Sequence, residues 1–124
     1  MVNTGGLNSF HIHNRAAEIV LLLVAGKSLH TGFVLEDGFD KPVLTTIGLY
    51  QGTIRPQGSI HYEFNENCEP AVFVAGLSSE DPGVSRTSQN LFVEVPGLVK
   101  ANLGYSGFLY GVLWGYSGGV CASG

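Results

Sequence analysis

Charge is scarce in this chain. Lys, Arg, Asp and Glu together make up 13% of its 124 residues, where a soluble domain ordinarily carries about 25%. Six basic residues face ten acidic ones, for a net charge of −4, so there is no basic surface with which to hold nucleic acid. No apolar run reaches the roughly 18 residues of a membrane-spanning helix. The opening MVNTGGLNSF has neither the basic nor the apolar block of a secretory leader and is not expected to act as one. Cysteine is limited to Cys68 and Cys121, too few to establish a disulfide framework. With so little charge and 44% hydrophobic residues, much of the surface is expected to be covered by something else.

What the chain has instead is glycine, 18 residues of it, between short runs of Val, Ile, Phe and Tyr. That pattern favours many short strands joined by tight turns within one domain. Histidine concentrates in two places. In GGLNSFHIHNRAAEIVLLLVAG, His11 and His13 stand two apart, so on a strand both imidazoles project from one side and Ile12 from the other. Glu18 opens the apolar run that follows, and a carboxylate there needs a positive partner, for which a divalent metal is economical. In PQGSIHYEFN, Pro56 and Gly58 mark a turn, after which Ser59, His61, Glu63 and Asn65 alternate with Ile60, Tyr62 and Phe64. His61 is thereby a candidate fourth ligand. Three neutral imidazoles and one carboxylate around a 2+ ion leave roughly two of six octahedral positions open, the geometry of a reactive site.

These two blocks resemble the two motifs of the cupins, and specifically those of germins and germin-like proteins, including their fungal and spherulin-type relatives. Gly5, His11, His13 and Glu18 match the first motif, and Pro56, Gly58, His61 and Asn65 the second. Three departures stand out. Seven residues rather than six separate Glu18 from Gly26, Asn14 replaces a proline after the second histidine, and Tyr50 stands where the second motif begins with glycine. The extra residue would turn everything after it to the other face unless a β-bulge absorbs it.

The resemblance implies an all-β, cupin-type jelly-roll barrel, incomplete if strands ahead of the first motif are missing, with short C-terminal helices. It also implies manganese held by His11, His13, Glu18 and His61, with Asn8 lining the metal pocket as in oxalate-oxidising members. Germin-like proteins are usually secreted and carry further strands upstream, so a truncated chain is expected, with extracellular location and homo-oligomeric assembly implied for the complete protein. The cupin domain is assigned to residues 1–104, and residues 105–124, rich in glycine and aromatics, to an irregular tail.

Along the chain, strands are expected at Asn8–His13, Glu18–Ala25, Leu29–Leu35, Val43–Leu49, from Ser59 through Asn65, and Ala71–Ala75, with the third paired to the second and Gly52–Arg55 leading into the second motif. Within Glu18–Ala25, Val20, Leu22 and Val24 share Glu18's side, and Ile19, Leu21 and Leu23 form an outward row requiring cover. Ala71–Ala75 likewise requires cover on both sides. His30 is read as a surface or satisfied strand histidine. Arg55 is read as a solvated arginine at the barrel rim, the alternative being an anion-attracting place at the pocket mouth. Glu63 either orients a ligand or sits at the rim. Cys68 is expected to be free or in a bridge unlike the family's. Helices are expected in SRTSQNLF, capped by Ser85, and in PGLVKANLG.

The leading functional expectation is an oxidoreductase that oxidises oxalate or dismutates superoxide, with a non-catalytic metal-binding, storage or wall protein as the alternative. A third reading is a fragment with open barrel edges that cannot fold stably.

Overall fold

The computed structural model describes residues 1–38 and 41–90. Among these residues seven strands run in chain order: β1 (Leu7–His11), β2 (Glu18–Ala25), β3 (Ser28–Val34), β4 (Val43–Gly48), β5 (Gly52–Arg55), β6 (Ile60–Phe64) and β7 (Val72–Leu77), followed by one turn of helix, α1 (Thr87–Gln89). They form two antiparallel sheets, ordered β1-β6-β3-β4 and β5-β2-β7.

The third strand does not pair with the second, contrary to expectation. At Gly26 the chain turns with φ +103 and crosses from one sheet to the other, so β3 pairs with β4 and β6 instead. Glycine suits this corner because a Cβ would lie 2.9 Å from the Ala71 Cα. Beyond β3, the Asp37-Gly38 turn, with Gly38 at φ +99, leads into a regular antiparallel pairing from Ser28 opposite Gly48 to Phe33 opposite Val43.

Strand β2 contains the bulge that its extra residue requires. Its pairing with both neighbours shifts register just after Glu18, so Glu18, Leu21 and Leu23 all point inward. The strict alternation expected along this strand is therefore wrong: Leu21 and Leu23 are buried, whereas Ile19 and Val20 are exposed. Val74 on β7 is also exposed, so β7 is not covered on both sides among the described residues.

Leu21 and Leu23 meet Leu29 and Ile47 from the opposite sheet, closed by Val2 and Ala71. Each fully buried leucine contributes about 2 kcal/mol. This apolar core fills only part of the interior. Among the described residues seven hydrophobic side chains are buried against eight polar or charged ones, and the polar ones must be satisfied or paired. Strand β3 passes through both regions, with Leu29 in the apolar part and Thr31 in the polar one.

Asn65 ties the N-terminal segment to the barrel. Fully buried, its Nδ2 donates towards the carbonyls of Val2, Asn3 and Glu69, and its Oδ1 accepts from Asn67. Tyr50 explains why the family pattern has glycine at its position: its φ is +61, in the left-handed region that disfavours side chains.

Helix α1 begins after Arg86 rather than at a Ser85 cap, and no side chain caps it. The second expected helix and the tail from 105 lie outside the described residues. Cys68 is not free. His30 is satisfied as expected, bonded to Thr46 Oγ1 at 2.8 Å and paired with Glu66.

Candidate metal centre

Two bulges and one turn bring the polar residues together. In the pairing of β1 with β6, Asn8 lies opposite Glu63 and His11 opposite His61, with a register shift between them. Asn8 and His11, three apart, therefore face the same interior. The bulge in β2 directs Glu18 to the same place, and the turn from Pro56, closed by Ser59 N–H donating to the Pro56 carbonyl at 3.2 Å, starts β6 with His61 pointing inward. Ring centroids of His11, His13 and His61 lie 4.2 to 5.4 Å apart. Their ligand nitrogens converge within 4.8 Å of one another, and Glu18, His61 and Glu63 form an overlapping group.

The hydrogen bonds of the three imidazoles fix their tautomers. Nδ1 of His11 faces the Ser9 carbonyl at 2.7 Å, that of His13 the Gly83 carbonyl at 2.8 Å, and that of His61 the Ser59 carbonyl at 2.8 Å. A carbonyl can only accept, so Nδ1 is the protonated nitrogen in each neutral ring and Nε2 presents a lone pair. Glu18 Oε2 lies 3.2 Å from His61 Nε2 and 3.7 Å from His13 Nε2, and His61 Nε2 has no hydrogen-bond donor facing it. Four electron-rich atoms therefore share one buried space. A bound cation satisfies all four at once, so this donor set fits a divalent metal. Burial, reinforced by the two neighbouring imidazoles, lowers the His11 pKa to about 4, leaving it neutral and able to ligate. Burial alone would raise Glu18, but the hydrogen bond that a protonated His61 donates and the charge of Arg55 outweigh it and hold the carboxylate below its ordinary range.

Arg55 is not at the rim. It is buried, directly across from Glu18 on the neighbouring strand. Nη1 donates to Glu18 Oε1 at 3.1 Å, and Nη2 lies 3.0 Å from Glu63 Oε1 and bonds Thr31 Oγ1. Strand parity, which places Thr53 and Arg55 on one face, is the signal that could have located it. Glu63 is likewise at neither expected place: it orients no imidazole, is fully buried, and accepts a 2.6 Å hydrogen bond from Asn8 Nδ2. Burial pushes its carboxyl up, against the opposing charge of Arg55 and the bond from Asn8.

Asn8, His11, His13, Glu18 and Glu63 line a cavity of about 230 Å³ together with Phe73 and Leu77 from β7. Asn8, His11, His13, Glu18 and His61 thus come together, and Arg55, Thr31 and the lining residues from β7 join them without a signal in the motifs. Asn14, in place of the motif's proline, bonds Ser85 Oγ at 2.9 Å and so holds a downstream segment against the site.

Two antiparallel sheets thus enclose a possible His/Glu metal site in a β-barrel. The cupin family pattern matches residues 1–106, and the chain belongs to that family. It is 41% identical over 101 residues to spherulin-1A of Physarum polycephalum, covering 82% of this chain and 40% of that protein. It is 36% identical over 92 residues to germin-like protein 8-2 of Oryza sativa subsp. japonica, covering 73% and 41%. In structure it is similar to oxalate oxidase, with a TM-score of 0.76 at 25% identity over 84% of this chain and 53% of that one. The chain therefore spans about 40% of the length of these curated relatives.

Proposed function

We propose that this cupin holds one divalent metal, manganese by family likeness, through His11, His13, Glu18 and His61, and acts as an oxidoreductase on a small anionic substrate of the oxalate type. The observation that carries the reading is the convergence of three Nε2 lone pairs and Glu18 Oε2, each imidazole locked by a backbone carbonyl. When bound, such a metal supplies one-electron redox capacity and an anchoring point for an anion.

The chain's own residues do the rest. Arg55 holds Glu18 Oε1, which leaves Oε2 as the atom facing the imidazoles. Asn8 has one N–H engaged by Glu63, so its other N–H and its carbonyl remain to orient a substrate at the cavity wall. Extracellular location and assembly into oligomers, as the likeness to germin-like proteins implies, belong to the same proposal.

The experiment is to load purified protein with manganese and supply oxalate or superoxide separately, following peroxide release and superoxide decay. Peroxide from oxalate supports the leading reading, and superoxide decay alone supports dismutation. Metal retention with neither activity supports a non-catalytic binding protein.

A further inference from the structure

The segment after β7 is fastened along the ligand-bearing stretch. Arg15 N–H donates to the Pro82 carbonyl at 3.0 Å, and His13 Nδ1 bonds the Gly83 carbonyl. Ile12 and Ser85 exchange both backbone hydrogen bonds at 3.0 Å, and Thr87 Oγ1 donates to the Phe10 carbonyl at 3.1 Å. Ile12 and Ser85 thus form an antiparallel bridge. In such a pair the residues directly opposite share a face and their neighbours share the other. Register therefore sets Val84 beside His13 and Arg86 beside His11, on the face that looks into the site. The cavity lining agrees, since Val84 and Arg86 border it together with His11 and His13.

Charge separates Arg86 from the other arginines. Arg55 is engaged by Glu18 and Glu63, and Arg15 pairs with Asp81 at 2.7 Å. Arg86 is exposed and has no acidic partner among the described residues. It is thus an uncommitted cation on the cavity wall of an acidic chain, with Phe73, Leu77 and Val84 beside it. A planar guanidinium there suits the two oxygens of a carboxylate.

We infer that Arg86 is a substrate-binding residue that receives a carboxylate of a small organic acid beside the metal centre. The inference rests on the metal-centre reading above and deepens it. It names the side chain that receives the acid, a role superoxide could not use because it has no carboxylate for the fork to grip.

The test compares wild type, Arg86→Gln and Arg86→Lys, each manganese-loaded with its metal content measured. Binding of oxalate and of its uncharged analogue oxamide is followed by the relaxation of water protons at the metal. Loss of one charge-assisted pair should weaken oxalate binding about ten- to a hundredfold in Arg86→Gln. Oxamide affinity and thermal midpoint should stay at wild-type values, and Arg86→Lys should recover part of the loss by restoring charge without the fork. Oxalate affinity in Arg86→Gln within twofold of wild type, with metal retained, would overturn the inference alone. Absence of metal from folded wild type would overturn the metal-centre reading and this inference with it.

Discussion

Replacing Arg55 by methionine removes a buried cation that two buried carboxylates share. Glu18 and Glu63 have side chains 3% and 1% exposed, and Arg55 lies 3.1 and 3.0 Å from them. Breaking a buried pair from one side costs about 3–5 kcal/mol because a charge is left uncompensated in a weakly polarisable interior. Against a domain stability of about 5–15 kcal/mol, Arg55→Met should lower the thermal midpoint by about 10–25 °C. Adding Glu63→Gln removes one orphaned charge while leaving an oxygen to accept the Asn8 N–H, and should recover about 1–3 kcal/mol. The sign with pH follows. Without Arg55 the Glu63 carboxyl, already raised by burial, is raised further in the folded state, so the native protein binds more protons there than the unfolded one and the deficit narrows as pH falls from 7 towards 5. A bound divalent ion offsets part of the loss at Glu18, so the deficit should be smaller in metal-loaded protein. Urea unfolding of the four proteins in the cycle, with and without metal, measures all of this. A loss under about 1 kcal/mol in Arg55→Met, or no coupling with Glu63→Gln, would refute the reasoning.

Two further perturbations probe parts of the fold independently. His11, with its pKa lowered from 6.5 to about 4 by burial, should keep the neutral imidazole signal in an NMR titration of metal-free protein down to about pH 5. Its contribution to stability is then present above pH 6.5 and lost as pH falls towards 4, since the unfolded state takes up the proton first; a midpoint between 6 and 7 would contradict the burial argument. Tyr50→Gly removes a left-handed strain of about 1–2 kcal/mol at a side chain 74% exposed, offset by about 0.5–1 kcal/mol of added unfolded-state entropy. A small net stabilisation in thermal unfolding is expected, and a loss above 1 kcal/mol would contradict it.

The grouping of His11, His13 and His61 was legible because its signals are local. His11 and His13 are two apart, His61 follows a Pro-Gln-Gly turn, and strand periodicity does the rest. The bulge in β2 was legible as a requirement, since one extra residue before Gly26 had to be absorbed. Its place was not, because the shift falls just after Glu18 and depends on pairing with β5 and β7. Arg55 was misread for a related reason. An arginine beside a proline looks solvated until the strands are paired and Glu18 is seen opposite it, and burial of charge is decided by partners distant in sequence. The crossing at Gly26 was missed because a short connection between two strands favours a hairpin, and only the close approach to Ala71 shows that the corner turns between sheets.

The account depends on four side chains meeting at one ion. Elemental analysis of protein purified in manganese-containing buffer tests it directly, with His11→Ala and His61→Ala measured alongside. Close to one metal per wild-type chain, with a loss of tenfold or more in occupancy for both folded variants, is the result expected. Folded wild type without metal, or variants that retain it at full occupancy, would contradict the assignment.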